Sequence, residues 1–319
     1  MNQLRPAAKK FDVLGLGAVA VDDFIEVESY PGPDTKVQVV GRQRHCGGLT
    51  AIALIAAARL GGKCAYAGVL GQEELSRFVL DCMKREKIDV SWVRHRTSAR
   101  PVHSNIIVDK RRVTRTVFYD LKHVFGAGVD VAVKPLLSCR VLFVDNLGVP
   151  GMIRAARVAR QAGIPVVADF ENAGHQRFPE LLSLVDHLII SREFATALTG
   201  SRSPQKAVRA LARPERELTV VTCGAEGCWY WARGWKAPKH QRAFRVQAAD
   251  TTGCGDVFHG AYAFGLARQL PLEERLRLAA AAAALKASRG GGLDGIPYLR
   301  SVRRFLTANL KIVAAVRRL

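Results

Sequence analysis

Short apolar runs alternate along the chain with longer segments in which apolar residues recur at helical spacing. Strands are predicted at residues 11–16, 64–69, 141–145, 165–169, 187–190 and 218–222. Helices are predicted at residues 50–60, 75–86, 152–161, 205–212, 254–268, 273–288 and 298–308. Apolar strands that alternate with helices indicate a mostly parallel sheet with helices on both faces. The predicted fold class is therefore α/β and doubly wound.

Two stretches break this alternation and predict a small β-rich lid. Residues 30–43 begin with two prolines and turn strand-like at 37–40, and residues 102–119 alternate as two strands around a turn. Such insertions would cover the carboxyl ends of the parallel strands, where open α/β sheets bind ligands. We expect an α/β core of residues 1–29, 44–101 and 120–319, and a lid of residues 30–43 and 102–119.

Composition narrows the class of protein. The 319 residues, 49% hydrophobic and 24% charged, fit one large globular domain with a small appendage. The seven cysteines show no metal-binding spacing, the N-terminus has no apolar signal segment, and no apolar run is long enough to cross a membrane. We expect a cytoplasmic protein with no membrane partner.

The net charge of +20 suggests either nucleic acid or an acidic substrate as a partner. The basic residues are spread along the chain, and no nucleic-acid-binding motif accompanies them. We therefore expect no nucleic-acid partner. The positive net charge instead favours a small anionic substrate.

The sequence DTTGCGD at residues 250–256 precedes a helix of small and apolar residues. Gly253, Cys254 and Gly255 would offer backbone N–H groups to an anion, helped by the positive end of the helix dipole. Asp256 stands in the first helical turn, where the helix N-terminus should favour its ionised form. A phosphate cradle beside a carboxylate suits phosphoryl transfer to a hydroxyl. Taken alone, Asp256 could equally be an ordinary helix-capping residue.

A second group of residues lies in the N-terminal third. Asp22 is placed at the end of the first strand, where it could accept hydrogen bonds from two hydroxyls, and Gly47 and Gly48 precede the first helix. On the lid, His103 and Asn105 share one strand face. Either that face meets a substrate or it faces solvent. The same two alternatives apply to Arg44, which could pair with an anionic group.

Taken together, these motifs resemble the ribokinase-like (PfkB) carbohydrate kinases across nearly the whole chain. The resemblance rests on an Asp after the first strand, a Gly-Gly pair before a helix ending in Ala-Arg-Leu-Gly, the lid, and DTTGCGD. Residues 30–34, YPGPD, and 115–120, RTVFYD, are most similar to the ketohexokinase and sulfofructose kinase branches.

The resemblance implies ATP-dependent phosphorylation of a sugar hydroxyl with Mg²⁺ as a cofactor, and it allows a monovalent cation as a second cofactor. Asp256 would be the catalytic base beside an anion hole of Gly253, Cys254 and Gly255. Asp22, Gly47 and Gly48 would hold the sugar. A T-x-G-x-x-G loop with Thr222, Gly224 and Gly227 would contact nucleotide, as would Thr252. Glu193 would help to organise Mg²⁺, unless it is only a first-turn acid of its helix. A homodimer through the lid is also possible.

Two departures from the family pattern bear on the substrate. Where the family often has G-G-N-x-x-N, this chain has apolar Leu49 and Ile52, so amide groups that discriminate hydroxyls are missing. We therefore expect an anionic sugar or a ketose as the acceptor, and not plain ribose. A nucleoside kinase and a non-catalytic sugar or nucleotide sensor on the same fold remain alternatives.

Overall fold

The computed structural model describes residues 8–112 and 114–316, with side chains through residue 309. Its strands are β1 (Phe11–Leu16), β2 (Ala20–Val27), β3 (Gly41–Gly47), β4 (Cys64–Tyr66), β5 (Val69–Leu70), β6 (Arg94–His95), β7 (Val102–Asp109), β8 (Thr114–Asp120), β9 (Cys139–Val144), β10 (Val166–Asp169), β11 (His187–Ser191), β12 (Leu218–Thr222), β13 (Cys228–Ala232) and β14 (Lys239–Gln241). Its helices are α1 (Leu49–Arg59), α2 (Glu74–Arg85), α3 (Val133–Leu137), α4 (Val149–Gln161), α5 (Phe178–Ser183), α6 (Arg192–Thr199), α7 (Pro204–Leu211), α8 (Cys254–Ala267), α9 (Leu272–Ala287) and α10 (Leu299–Val316).

An eight-stranded sheet lies at the centre of the protein, in the order β14-β13-β12-β11-β10-β9-β1-β4. The strands from β12 to β4 are parallel, whereas β13 and β14 are antiparallel to their neighbours. The strands from β13 to β4 send alternate side chains into two buried clusters, one on each face, whereas the edge strand β14 contributes to neither. Helices α1, α2, α8 and α9 contribute to one cluster, and α4 to α7 contribute to the other. The predicted doubly wound, mostly parallel α/β fold is confirmed.

A separate four-stranded sheet has the order β3-β2-β7-β8. Strand β2, one of its two inner strands, lies in the segment that the sequence analysis placed in the core. The predicted strand at residues 37–40 is instead a loop that precedes β3. Strand β2 was overlooked because Asp22 and Asp23 interrupt its apolar pattern, and β3 because its sequence, GRQRHCG, is mostly polar. Strands β5 and β6 form a third, two-stranded sheet.

Among the described helices, none has the combination of length and apolar character that crossing a bilayer requires.

Helices α1 and α8 approach each other closely on one face of the central sheet. A Cβ atom added at Gly260 of α8 would overlap the carbonyl oxygen of Ala53 in α1. Both helices are apolar on nearly all sides and are largely buried, so neither can move outward without exposing core surface. This contact sets the spacing between the two helices and therefore between their N-termini.

We expect Gly260→Ala to lower the free energy of unfolding by about 1–3 kcal/mol, as overpacking of a tight core does. Its matched control is Gly265→Ala on the same helix, where the added Cβ would meet the flexible side chain of Arg275 at 3.1 Å. Both changes gain the same helix propensity. Urea unfolding of the two variants measures the difference, and equal stabilities would show that the α1–α8 contact is not tight.

Candidate active site

The DTTGCGD segment, residues 250–256, forms a tight loop that leads into α8 and is called the signature loop below. Gly253 is the N-cap residue and has a φ of 72°, a left-handed conformation that favours glycine. Asp250 Oδ1 accepts a hydrogen bond of 2.9 Å from the Thr252 N–H, which holds the loop in its turn. The Cys254 N–H donates a hydrogen bond of 3.3 Å to the Thr251 carbonyl, and the next N–H groups of the first turn have no partner within the helix. A helix N-terminus of this kind suits an anion.

Asp256 lies in the first turn of α8 and is half-buried. Burial raises its pKa well above the ordinary value, and the negative charge of Asp169 raises the pKa further, whereas His259 lowers it. Burial and the neighbouring carboxylates thus oppose the ionised form that the helix N-terminus was expected to favour. In its ionised form, a carboxylate with a raised pKa is a stronger proton acceptor than an exposed aspartate.

His259, one turn further along α8, is buried and was not predicted as a site residue. Its Nδ1 lies 3.1 Å from Asp169 and 2.8 Å from the carbonyl of Gly255, and its Nε2 lies 2.8 Å from the carbonyl of Ile189. Burial lowers the pKa of His259 and raises that of Asp169 well above its usual range. Both ring nitrogens face a backbone carbonyl oxygen, and a neutral imidazole can donate to only one of them.

Asp145, at the end of β9, was also missed and holds two loops together. Its Oδ2 accepts hydrogen bonds from the Ala18 N–H at 2.5 Å and the Thr50 hydroxyl at 2.8 Å, and its Oδ1 accepts one from the Leu147 N–H at 2.8 Å. Burial raises the pKa of Asp145 to about 7. Because Ala18 precedes β2 and Thr50 begins α1, this carboxyl group connects the central sheet to both elements.

A cleft of about 790 Å³ extends from the start of α8 to the turn after β12. It is lined by the predicted nucleotide-loop residues Thr222, Gly224 and Gly227, and by Cys254 and Gly255 of the signature loop. Four alanines of α9 form one wall: Ala280, Ala283, Ala284 and Ala287. Thr252, which was grouped with the nucleotide residues, instead receives a hydrogen bond from Arg115 of β8. The cleft brings most of the predicted nucleotide contacts together.

One carboxylate side chain, that of Glu193, lines this cleft, and it does not by itself form a metal site. Glu193 is exposed in the first turn of α6 and lines the cleft. No group of three or more histidine, cysteine, aspartate or glutamate side chains converges on one point within the described residues. The excess negative charge that raises the pKa of Asp256, from Asp169 and then Glu171, is nevertheless suited to a cation. The donor set thus fits Mg²⁺ held largely through water and phosphate oxygens.

Asp22 lies in the middle of the four-stranded sheet. The first strand ends at Leu16, so the predicted position of Asp22 at its end is wrong, and the residue belongs to β2. A Cβ atom added at Gly47 would overlap the Asp22 carboxylate, and Gly48 is the N-cap residue of α1 with a φ of 93°. Burial raises the pKa of Asp22, while its hydrogen bond with Ser104 lowers it. Asp22, Gly47 and Gly48 therefore come together, although on different elements than expected.

His103, Asn105 and Arg44 lie on the opposite face of this sheet from Asp22. The register pairs Asp23 with Arg44 and with Asn105, and it pairs Asp22 with His45 and Ser104. Arg44 is held by Asp23 at 2.6 Å and by Glu74 at 2.6 Å, and His103 contacts Asp23 at 2.8 Å. The structure does not bring these three predicted substrate residues to Asp22, because neighbouring positions on a strand point to opposite faces.

Arg115 lies on the same face as Asp22 and was not predicted as a site residue. The register pairs it with Val108, which shares the face of Ser104, and its guanidinium donates to the hydroxyl of Thr252. It is exposed, and within the described residues it forms no ion pair. The guanidinium of Arg115 on the four-stranded sheet thus contacts the signature loop, and no carboxylate among the described residues neutralises its charge.

Comparison with known proteins identifies the family. The family model for pfkB family carbohydrate kinases matches residues 11–298. The ribokinase of Haemophilus influenzae is 26% identical over 299 residues, which cover 91% of this chain and 97% of the relative. Fructokinase-1 of Oryza sativa subsp. japonica is 27% identical over 277 residues, covering 79% of this chain and 85% of the relative.

The structure of Arabidopsis thaliana ribokinase complexed with ribose and ATP shares the fold. It superposes with a TM-score of 0.82 at 22% sequence identity, covering 94% of this chain and 99% of that one. The sequence motifs and the fold both agree with the family match, which spans residues 11–298. The chain therefore belongs to the pfkB family of carbohydrate kinases.

Proposed function

We propose that this enzyme transfers the γ-phosphoryl group of ATP to a hydroxyl of an anionic sugar. The observation that carries the proposal is the position of Asp256, next to an anion-binding helix N-terminus. On one side of Asp256 lies the 790 Å³ cleft, and on the other lies the start of α1 beneath Asp22. A Cβ atom added at Gly253 would lie 3.7 Å from Ile52 of α1, so the two helix starts are adjacent.

The chemistry follows from the groups at this junction. Asp256 accepts the proton of the acceptor hydroxyl, and its raised pKa favours that transfer. The N–H groups at Gly253, Cys254 and Gly255, together with the helix dipole, stabilise the charge that develops on the phosphoryl oxygens. Because the transition state is loose, positioning and charge stabilisation contribute more than the strength of the base.

ATP is proposed to lie in the cleft, with its base against the alanine wall of α9 and its phosphates between the turn after β12 and the signature loop. Thr222, Gly224 and Gly227 would contact the phosphates through a hydroxyl and backbone N–H groups. Glu193 and Glu171 would hold Mg²⁺ through water. When bound, the ion supplies charge neutralisation at the phosphate oxygens.

The four-stranded sheet is proposed to act as the lid. Asp22 and the backbone at Gly47 and Gly48 would hold sugar hydroxyls, and closure would exclude water from the phosphoryl group. The anionic group of the acceptor sugar is proposed to bind Arg115. Arg44 is not proposed for this role, because Asp23 and Glu74 already neutralise its charge. Within the described residues Arg115 has no carboxylate partner, and the fork geometry of its guanidinium suits phosphate, sulfonate or carboxylate.

A second copy of the chain is proposed to pack against the edge strand β8. Val117 is 45% exposed, Phe118 53% and Tyr119 66%, and Leu121, just after the strand, is 47% exposed. This is an unusual concentration of apolar groups on a strand with one free edge. A second copy would cover both the apolar side chains and the free strand edge.

Asp256→Asn should remove most turnover while leaving the fold and ATP binding intact, since positioned acid–base help is typically worth about 10²–10⁴-fold. A coupled assay of ADP release measures kcat, and calorimetry measures ATP affinity. Asp130→Asn, a surface carboxylate paired with Arg94, is the matched control and should retain full activity. If Asp256→Asn kept more than half of the wild-type kcat, the assignment of the base would be wrong.

Arg115→Ala should raise the KM for an anionic sugar by about 10- to 100-fold, the range of a lost hydrogen bond to a charged group, with little change for the neutral parent sugar. The measurement is a paired screen of ribose, fructose and their phosphorylated, sulfonated and carboxylated derivatives. Arg44→Ala is the matched control on the opposite face and should leave the KM nearly unchanged. An effect confined to Arg44→Ala would reverse this assignment.

The double substitution Phe118→Ser and Tyr119→Ser should shift the protein from dimer to monomer in sedimentation-velocity measurements. Removing two large apolar groups from an interface takes away its main anchors. A wild-type protein that stays monomeric at all concentrations tested would contradict the proposed dimer.

A further inference from the structure

Lys286 is a buried lysine in the last turn of α9, with only 2% of its surface exposed. Its Nζ donates a hydrogen bond of 2.9 Å to Oδ2 of Asp250, the first residue of the signature loop. Burying a lysine costs considerable solvation free energy unless its charge is compensated. The ion pair with Asp250 provides that compensation.

The Lys286–Asp250 pair lies directly behind the loop that carries the anion hole. The second oxygen of Asp250 accepts the Thr252 N–H at 2.9 Å, and Gly253 follows immediately. The Ala287 carbonyl at the end of α9 accepts hydrogen bonds from the N–H groups of Ala249 and Asp250, at 2.7 and 3.1 Å. A continuous set of contacts therefore runs from Lys286 to the first N–H groups of α8.

The surroundings of Lys286 hold its ammonium group in place. A Cβ atom added at Gly295 would lie 2.9 Å from Cδ of Lys286, so the loop after α9 packs directly on the lysine stem. Burial alone would raise the pKa of Asp250, but the hydrogen bonds from Lys286 and Thr252 hold that pKa below its ordinary value. The carboxylate is thus ionised and already carries its counter-charge.

We propose that Lys286 is a positioning residue whose ammonium group acts as a built-in cation beneath the anion hole, so that phosphoryl transfer requires no dissociable monovalent cation. The proposal rests on the kinase function given above. A tethered ammonium group has a very high effective concentration at Asp250, and a free ion would have to displace it from a buried ion pair. A monovalent cation, allowed for by the family resemblance, therefore has no role at Asp250 in the wild-type enzyme.

The first test needs no variant. The rate of wild-type phosphoryl transfer is measured with MgATP at constant ionic strength in potassium, sodium or tetramethylammonium chloride. We expect the three rates to agree within about twofold, since the ionic strength and its screening are the same. Activation by potassium or sodium over tetramethylammonium by about tenfold or more would overturn the proposal.

The second test removes the ammonium group. Lys286→Ala should lower kcat by about 10²-fold, as expected when a catalytic loop shifts by roughly an ångström. Added ammonium, methylammonium or potassium should restore much of this kcat, because each can occupy the space beside Asp250. Lys84→Ala, which removes a surface lysine paired with Asp81, is the matched control and should neither lose activity nor respond to these ions.

The outcomes separate the possible failures. Thermal unfolding of each variant shows whether Lys286 acts only on stability. A loss of kcat that no cation reverses, or a variant with full kcat, would overturn the positioning role. A variant that does not fold leaves the wild-type cation series as the decisive test. Absence of ATP turnover by the wild type with every acceptor would instead overturn the kinase function. Calorimetric titration of wild type with MgATP in the three salts would then test the same cation independence.

Discussion

The close contact between α1 and α8 is the constraint on which the rest of the site depends. Gly260 allows α8 to lie against the backbone of Ala53, and the apolar surfaces of both helices are buried around this contact. A Cβ atom added at the N-cap residue Gly253 would consequently lie 3.7 Å from Ile52, in the first turns of α1. The helix that begins at the proposed sugar site and the helix that begins at the proposed phosphate site are thus positioned by one packing interaction.

Much of the core could be predicted from the sequence because its elements are apolar, regular and clearly separated. The predicted helix at residues 50–60 matches α1 to within one residue at each end, and the strand at 11–16 matches β1. Strands β13 and β14 escaped prediction because they are short and partly exposed at the edge of the sheet. Strand β3 was not predicted because its residues are mostly polar and show no alternation of apolar and polar positions.

The site was harder to predict than the fold, for two physical reasons. Strand alternation showed that His103 and Asn105 share a face, but a sheet with polar groups on both faces does not reveal which face meets the ligand. Burial, which sets the pKa of Asp256 and Asp145, depends on tertiary packing and is not visible in a local motif. The signature loop could be located from the sequence because its chemistry is contained in seven consecutive residues.

The pairing of β2 with β7 has a consequence for the order in which the protein folds. These two strands run parallel, and the contact between Asp23 and His103 joins residues that are 80 positions apart in the chain. The intervening chain includes α1 and α2. Closing so long a loop costs entropy. The central sheet closes a longer separation still, from Phe11 to Cys139, but its strands bury many more apolar side chains to offset that cost. The four-stranded sheet should therefore assemble after the central sheet during folding, and it should be the first region to exchange its amide hydrogens with solvent.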